Sequence, residues 1–144
     1  MPEIDVHAHS SADPDRVYAL LADAHSWTEW SPIEEVVSVE GEGIGQIRRH
    51  RSGRVTGVDR VTALEPGARY GYDFLQGLPV RDYHGDVTLA AAPAGGTDIR
   101  WRSTFAPKYP GTGWLMKRGL TRFLTDCAEG LARGAERSSG AVAG

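Results

Sequence analysis

A single cysteine, Cys127, stands among the 144 residues, so no disulfide can form within the chain. Thiols used this sparingly fit a reducing compartment. No apolar run approaches the roughly 20 residues that a membrane-spanning helix needs, so no stable membrane anchor is expected. Charge of one sign is lacking as well. Sixteen Lys and Arg against 19 Asp and Glu leave a net charge of −3, too little field to attract nucleic acid over a wide surface. The opening residues, MPEIDVHAHSS, have neither the basic start nor the apolar centre of a signal peptide. Together these absences predict a soluble, cytoplasmic protein, monomeric or homodimeric, with no nucleic acid among its partners.

Hydrophobic residues make up 40% of the chain and charged residues 24%, ordinary values for one globular domain that buries a core without staples. Glu3 to His9 alternates apolar and polar, as a half-buried strand does. Asp13 is then placed to cap a helix with Pro14 in its first turn, and Val17, Leu20 and Leu21 supply the apolar stripe. Trp27 and Trp30 follow at a spacing of three, before Pro32, which predicts a second short helical turn. From Ile33 to Pro107 the pattern is of strands separated by Gly- and Pro-bearing turns, with strands expected at 36–39, 44–51, 54–64, 68–76, 81–92 and 97–105. Strands joined this closely pair antiparallel, because parallel neighbours require crossover helices. The last element, Gly113 to about Ala135, carries Met116, Leu120, Phe123, Leu124, Cys127 and Leu131 on one broad helical stripe. The expected architecture is α+β: a curved seven-stranded antiparallel sheet wrapped around a long C-terminal helix, with two short helices after the first strand. Residues 1–135 form one domain, and 136–144 are expected to be a disordered tail.

Several segments resemble a known family. They are Ser11-Ala-Asp-Pro-Asp-Arg-Val-Tyr-Ala-Leu-Leu-Ala-Asp23, Trp27-Thr-Glu-Trp-Ser-Pro32, Arg60-Val-Thr-Ala-Leu-Glu-Pro66, Tyr70-Gly-Tyr72 and Gly95-Gly-Thr-Asp-Ile-Arg-Trp101. From Ile4 to about Leu131 the chain is similar to the START-like (SRPBCC) superfamily, in particular its polyketide cyclase/dehydrase branch. The resemblance implies a helix-grip fold with a deep cavity for lipids, sterols, polyketides or other hydrophobic molecules. Some members cyclise or dehydrate polyketides and many only bind or carry, so activity does not follow from fold.

The candidate ligand-binding residues are Arg48, His50, Tyr70, Tyr72, Phe74, Tyr83, Trp101, Ser103 and Phe123. Tyr70, Tyr72 and Phe74 share one strand face; Tyr83 lies on the next strand, Trp101 and Ser103 on the last, and Phe123 on the helix stripe. Aromatic rings with phenol and indole groups suit a pocket with an apolar body and a few orienting polar groups better than a plain core does. They also suit the amphipathic rim of a sheet. Arg48 and His50 share a face that is either concave, where a ligand oxygen could meet them, or wet at the sheet edge. No Ser-His-Asp set assembles from His7, His9, His25, His50 and His84; if the pocket is that of an enzyme, Tyr72, Tyr83, His50 or Arg48 would donate protons or stabilise an enolate in it.

Asp5-Val-His7-Ala-His9 imitates the start of a metal-dependent amidohydrolase, but such a barrel takes about 200 residues or more. No metal site is expected there, and nothing calls for a cofactor. Gly41-Glu-Gly-Ile-Gly45 lacks the helix and lysine of a phosphate loop and reads as a turn. Cys127 reads as core packing. Three functions remain open: binding or carriage of a hydrophobic small molecule in a cavity between sheet and helix, a polyketide cyclase, aromatase or dehydratase using that cavity, and a protein-interaction module whose cavity is vestigial.

Overall fold

The computed structural model describes residues 2–143, with side chains as far as Arg137. Strand β1 (Glu3–Ser10) leads into helix α1 (Pro14–Ala22), a 3-10 turn (Ala24–Ser26) and the short helix α2 (Trp27–Trp30). Six strands follow: β2 (Glu35–Glu40), β3 (Ile47–Ser52), β4 (Val55–Glu65), β5 (Arg69–Gln76), β6 (Val80–Ala91) and β7 (Thr97–Pro107). The long helix α3 (Gly113–Ala143) ends the chain.

Local chemistry sets these boundaries. Asp13 caps α1, its carboxylate accepting from the Arg16 backbone N–H at 3.0 Å, and Pro14 occupies the first turn, where its missing N–H costs nothing. The third strand begins at Ile47 rather than Ile44, because Gly41, Gly43 and Gly45 all take positive φ and hold the chain in one extended turn. The final helix continues to Ala143, beyond the expected end near Ala135. Side chains 138–144, most of the tail expected to be disordered, lie outside the described residues.

The sheet has seven strands in the order β1-β7-β6-β5-β4-β3-β2, every pairing antiparallel. The chain starts beside β7, passes over the concave side through α1 and α2 to the opposite edge at β2, and then meanders back. Register shifts in β2, β4 and β6 mark bulges, which bend the strands.

Inward-facing Trp101, Phe105 and Val87, with Leu124, Cys127 and Leu131 from α3, form the buried core. The helix packs chiefly on β1 and β7, and α1 and α2 lean on its other flank. Ser10 ties the end of β1 to the helix, its hydroxyl donating to the Ala132 carbonyl at 2.8 Å. Where α2 crosses α3 there is room for no side chain, since a Cβ on Gly130 would fall 1.8 Å from the Trp30 carbonyl oxygen. The helix therefore covers the β1–β7 side of the concave face and leaves the β3–β5 side open.

Candidate functional site

That uncovered space is a cavity of about 350 Å³. Its floor is the concave face of β3 to β7, its roof is α3 from Leu115 to Cys127, and Trp27 and Ile33 close one end. Val55, Leu78, Leu115 and Gly119 line it, and Val55 and Leu115 are also exposed, which puts the mouth between the β3–β4 and β5–β6 turns and the first turns of α3.

Glycines opposite aromatic rings make this space. Tyr72 pairs with Gly85 across β5 and β6, and its ring lies on the bare backbone: a Cβ on Gly85 would fall 2.3 Å from Tyr72 Cζ. Gly57 pairs with His50 in the same way, and a Cβ there would fall 2.8 Å from both His50 Cε1 and Phe74 Cε2. Rings thus occupy the space that a side chain would take at Gly57 and Gly85.

Six of the nine sequence candidates line the cavity: His50, Tyr72, Phe74, Tyr83, Trp101 and Phe123. Three do not. Tyr70 is buried beside it, its ring 6.0 Å from that of Tyr72. Ser103 sits behind Tyr83 and accepts the phenol's hydrogen bond at 3.1 Å. Arg48 faces inward, but its guanidinium donates to the carbonyls of Leu21 at 3.0 Å and Ala22 at 2.7 Å, at the C-terminal end of α1. A cation at a helix C-terminus meets the negative end of its dipole, and this one lies 5.2 Å from the Tyr70 ring centre. The partner that a buried arginine needs is therefore the protein's own backbone.

The phenols are committed in a similar way. The Trp101 indole N–H donates to the Tyr72 hydroxyl at 3.1 Å. Burial pushes Tyr83 up to about 12 and also raises Tyr70 and Tyr72 well above the usual phenol value, so all three stay protonated in neutral solution. Burial also raises the Cys127 thiol, which leaves it packing against the sheet as a neutral group.

The one acid–base pair on the cavity wall is one the sequence showed only by half. His50 Nε2 lies 2.9 Å from Asp59 Oδ2, with the two side chains 14% and 11% exposed. A carboxylate can only accept, so beside it the neutral imidazole carries its proton on Nε2 and keeps Nδ1 as an acceptor. Asp59 Oδ1 and the Ser52 hydroxyl, both on cavity-lining residues, are buried with no hydrogen-bonding partner among the described residues. Asp59 is not among the candidates that the sequence offers. Its only mark there is parity: it falls in step with Val61 and Ala63, an acid in an apolar row of β4.

His7 and His9 lie on the outer face of β1, 68% and 55% exposed, where His9 Nδ1 meets Asp98 at 3.0 Å and Asp5 is taken by Arg100. No group of three or more His, Cys, Asp or Glu suited to a metal ion occurs among the described residues.

The family model for polyketide cyclase / dehydrase and lipid transport proteins matches residues 1–136. The chain belongs to this family. No curated protein matches it at significant similarity. Among solved structures, the Zhui aromatase/cyclase from Streptomyces sp. R1128 superposes with a TM-score of 0.86 at 20% identity, over 99% of this chain and 98% of that one. The protein XoxI from Bacillus cereus gives 0.78 at 17% identity, over 93% and 95% of the two chains. The Aha1 dimer from Colwellia psychrerythraea gives 0.67 at 16% identity, over 92% and 97%. At these identities the likeness to the three solved structures shows a shared fold alone, and the residues of the cavity must speak for its use.

Proposed function

We propose that the protein binds a hydrophobic small molecule, of the lipid or polyketide kind, in the cavity between β3–β7 and α3. The observation that carries this reading is a cavity of about 350 Å³ walled by aromatic and aliphatic side chains, with polar groups gathered at His50, Asp59 and Ser52. That volume is within the range of small-molecule sites, and the sparse polar groups would orient a ligand that is apolar elsewhere. Its kinship with the aromatase/cyclase fold supports the same reading. A solid core would have favoured an interaction module instead. In the test, a naphthalene-sulfonate dye binds the native protein at about one per chain while unfolding stays cooperative, because a molten state also binds such dyes. Phe74→Ala and Phe123→Ala, which change the wall, shift its affinity, and Arg49→Ala, on β3 next to His50 but outside the cavity lining, does not. If the wall variants and the wild type bind equally well, the cavity is not the binding site.

One observation favours a second reading, in which the cavity performs proton transfer. Asp59 holds the His50 ring by Nε2, leaving Nδ1 as a base on an apolar wall. Such a base would remove the proton α to a ligand carbonyl; the enolate then attacks a second carbonyl of the ligand in cyclisation, or expels a β-hydroxyl that takes the proton from the imidazolium and leaves as water in dehydration. Exchange of the α-protons of 2-tetralone in D2O, followed by proton NMR, tests it. Wild-type protein accelerates the exchange and His50→Ala does not, although it still binds the dye. Equal exchange rates for the two leave binding alone as the function.

A further inference from the structure

The start of α3 carries charge and apolar area that the cavity does not use. Tyr109, Trp114 and Leu115 are 56%, 68% and 55% exposed, whereas Trp27, Trp30 and Trp101 are all buried. Trp114, Arg118 and Arg122 follow one another four residues apart and share the outward face of the helix. Between Asp98 and Asp126 the chain has no acidic residue, yet it holds Lys108, Lys117, Arg118 and Arg122 besides two strand arginines. Those two, Arg100 and Arg102, are paired with Asp5 and Glu3. None of the other four takes part in an ion pair among the described residues. In a protein of net charge −3 this is a local reversal of sign.

Cations around an exposed tryptophan and leucine form the composition that settles in the headgroup layer of a bilayer, where the aromatic ring enters and the charges meet anionic lipid. Leu115 belongs to this patch and also lines the cavity, so patch and mouth are continuous. We propose that this face docks reversibly on an anionic lipid bilayer, with Trp114 and Leu115 entering the headgroup layer and Lys117, Arg118 and Arg122 above anionic headgroups. The contact is peripheral, because no helix among the described residues is long and apolar enough to cross a membrane. A bilayer fits better than an acidic protein, since a tryptophan this exposed adds nothing to charge pairing but anchors readily at an interface. If the cavity binds an apolar ligand as proposed above, docking places its mouth against the phase in which that ligand dissolves.

Co-sedimentation with vesicles tests this, using phosphatidylcholine alone and phosphatidylcholine with roughly one-third phosphatidylserine. The protein is expected to bind the anionic vesicles about tenfold or more tightly than the neutral ones, and to lose most of that preference between about 0.05 and 0.5 M salt. Brominated lipid should quench Trp114, the one exposed tryptophan, and Trp114→Phe should remove the quenching. Arg118→Glu with Arg122→Glu should abolish the anionic preference while leaving dye binding in the cavity and thermal unfolding unchanged, which separates docking from ligand binding. Three results would overturn the proposal: equal binding to both vesicles, no binding to either, or a charge-reversed variant that binds like wild type. Retention on immobilised polyglutamate without vesicle binding would assign the patch to an acidic protein partner instead.

Discussion

At the level of single residues, the pair His50 and Asp59 explains most of what is unusual in this cavity. A carboxylate held away from water is tolerable only with a partner, and here one oxygen has the imidazole while the other has none among the described residues. Breaking such a pair from one side leaves an uncompensated group, whereas replacing both with apolar residues removes the problem. His50→Ala is therefore expected to lower stability by about 3 kcal/mol, and His50→Leu with Asp59→Leu to recover much of that loss, both read from urea unfolding midpoints. A single variant as stable as wild type would show that the pair contributes nothing. Half of it was legible in the sequence. His50 is marked in the sequence by its alternation with Arg48, but its partner is nine positions away on another strand, and only the register of β3 on β4 brings them together. Arg48 shows the opposite limit: its inward face was one of two open choices, and its true partners, two helix-end carbonyls, leave no mark in a sequence pattern.

The element that decides whether a cavity exists is α3, and two of its glycines make opposite predictions. Alanine is favoured over glycine in a helix by about 1 kcal/mol. At Gly119 a new Cβ meets nothing within 4 Å, so Gly119→Ala should raise stability by about that amount. At Gly130 the same methyl would fall 1.8 Å from the Trp30 carbonyl, backbone that cannot move aside without lifting α2 off the helix. Gly130→Ala should therefore lower stability by about 1–3 kcal/mol despite the gain in propensity. Thermal unfolding of the two variants checks the pair, and a gain in both would mean that α2 does not sit this close. The apolar stripe from Met116 to Leu131 was readable because its spacing is set by the helix itself. The close crossing was not, since glycine in a helix looks the same whether it faces water or another backbone.

For the molecule as a whole, sheet and helix differ in extent: seven strands curve, and one helix covers only part of the concave face. Turns and alternation made the strand count and antiparallel order legible, but the size of the gap depends on bulges and on rings lying over Gly57 and Gly85, which pattern does not reveal. The wall beside that gap carries a consequence for alkaline stability. Burial pushes Tyr83 up to about 12 and raises Tyr70 and Tyr72 as well, whereas in the unfolded chain each phenol titrates near 10. A group whose folded value is raised contributes its full stability below the unfolded value and loses it as pH climbs through the folded one. From about pH 10 upward the unfolded chain thus sheds protons that the native wall still holds, and Tyr83 alone gives up about 2 kcal/mol by about pH 12. The expected result is that these three phenols ionise only as the sheet opens, so part of the tyrosinate absorbance rises in a cooperative step together with the loss of the strand circular-dichroism signal. In Tyr83→Phe that step should move to higher pH, provided the variant matches the wild type at neutral pH. Smooth ionisation of all five tyrosines with the strand signal intact would mean that water reaches the wall freely, and that the cavity is an open groove rather than an apolar chamber.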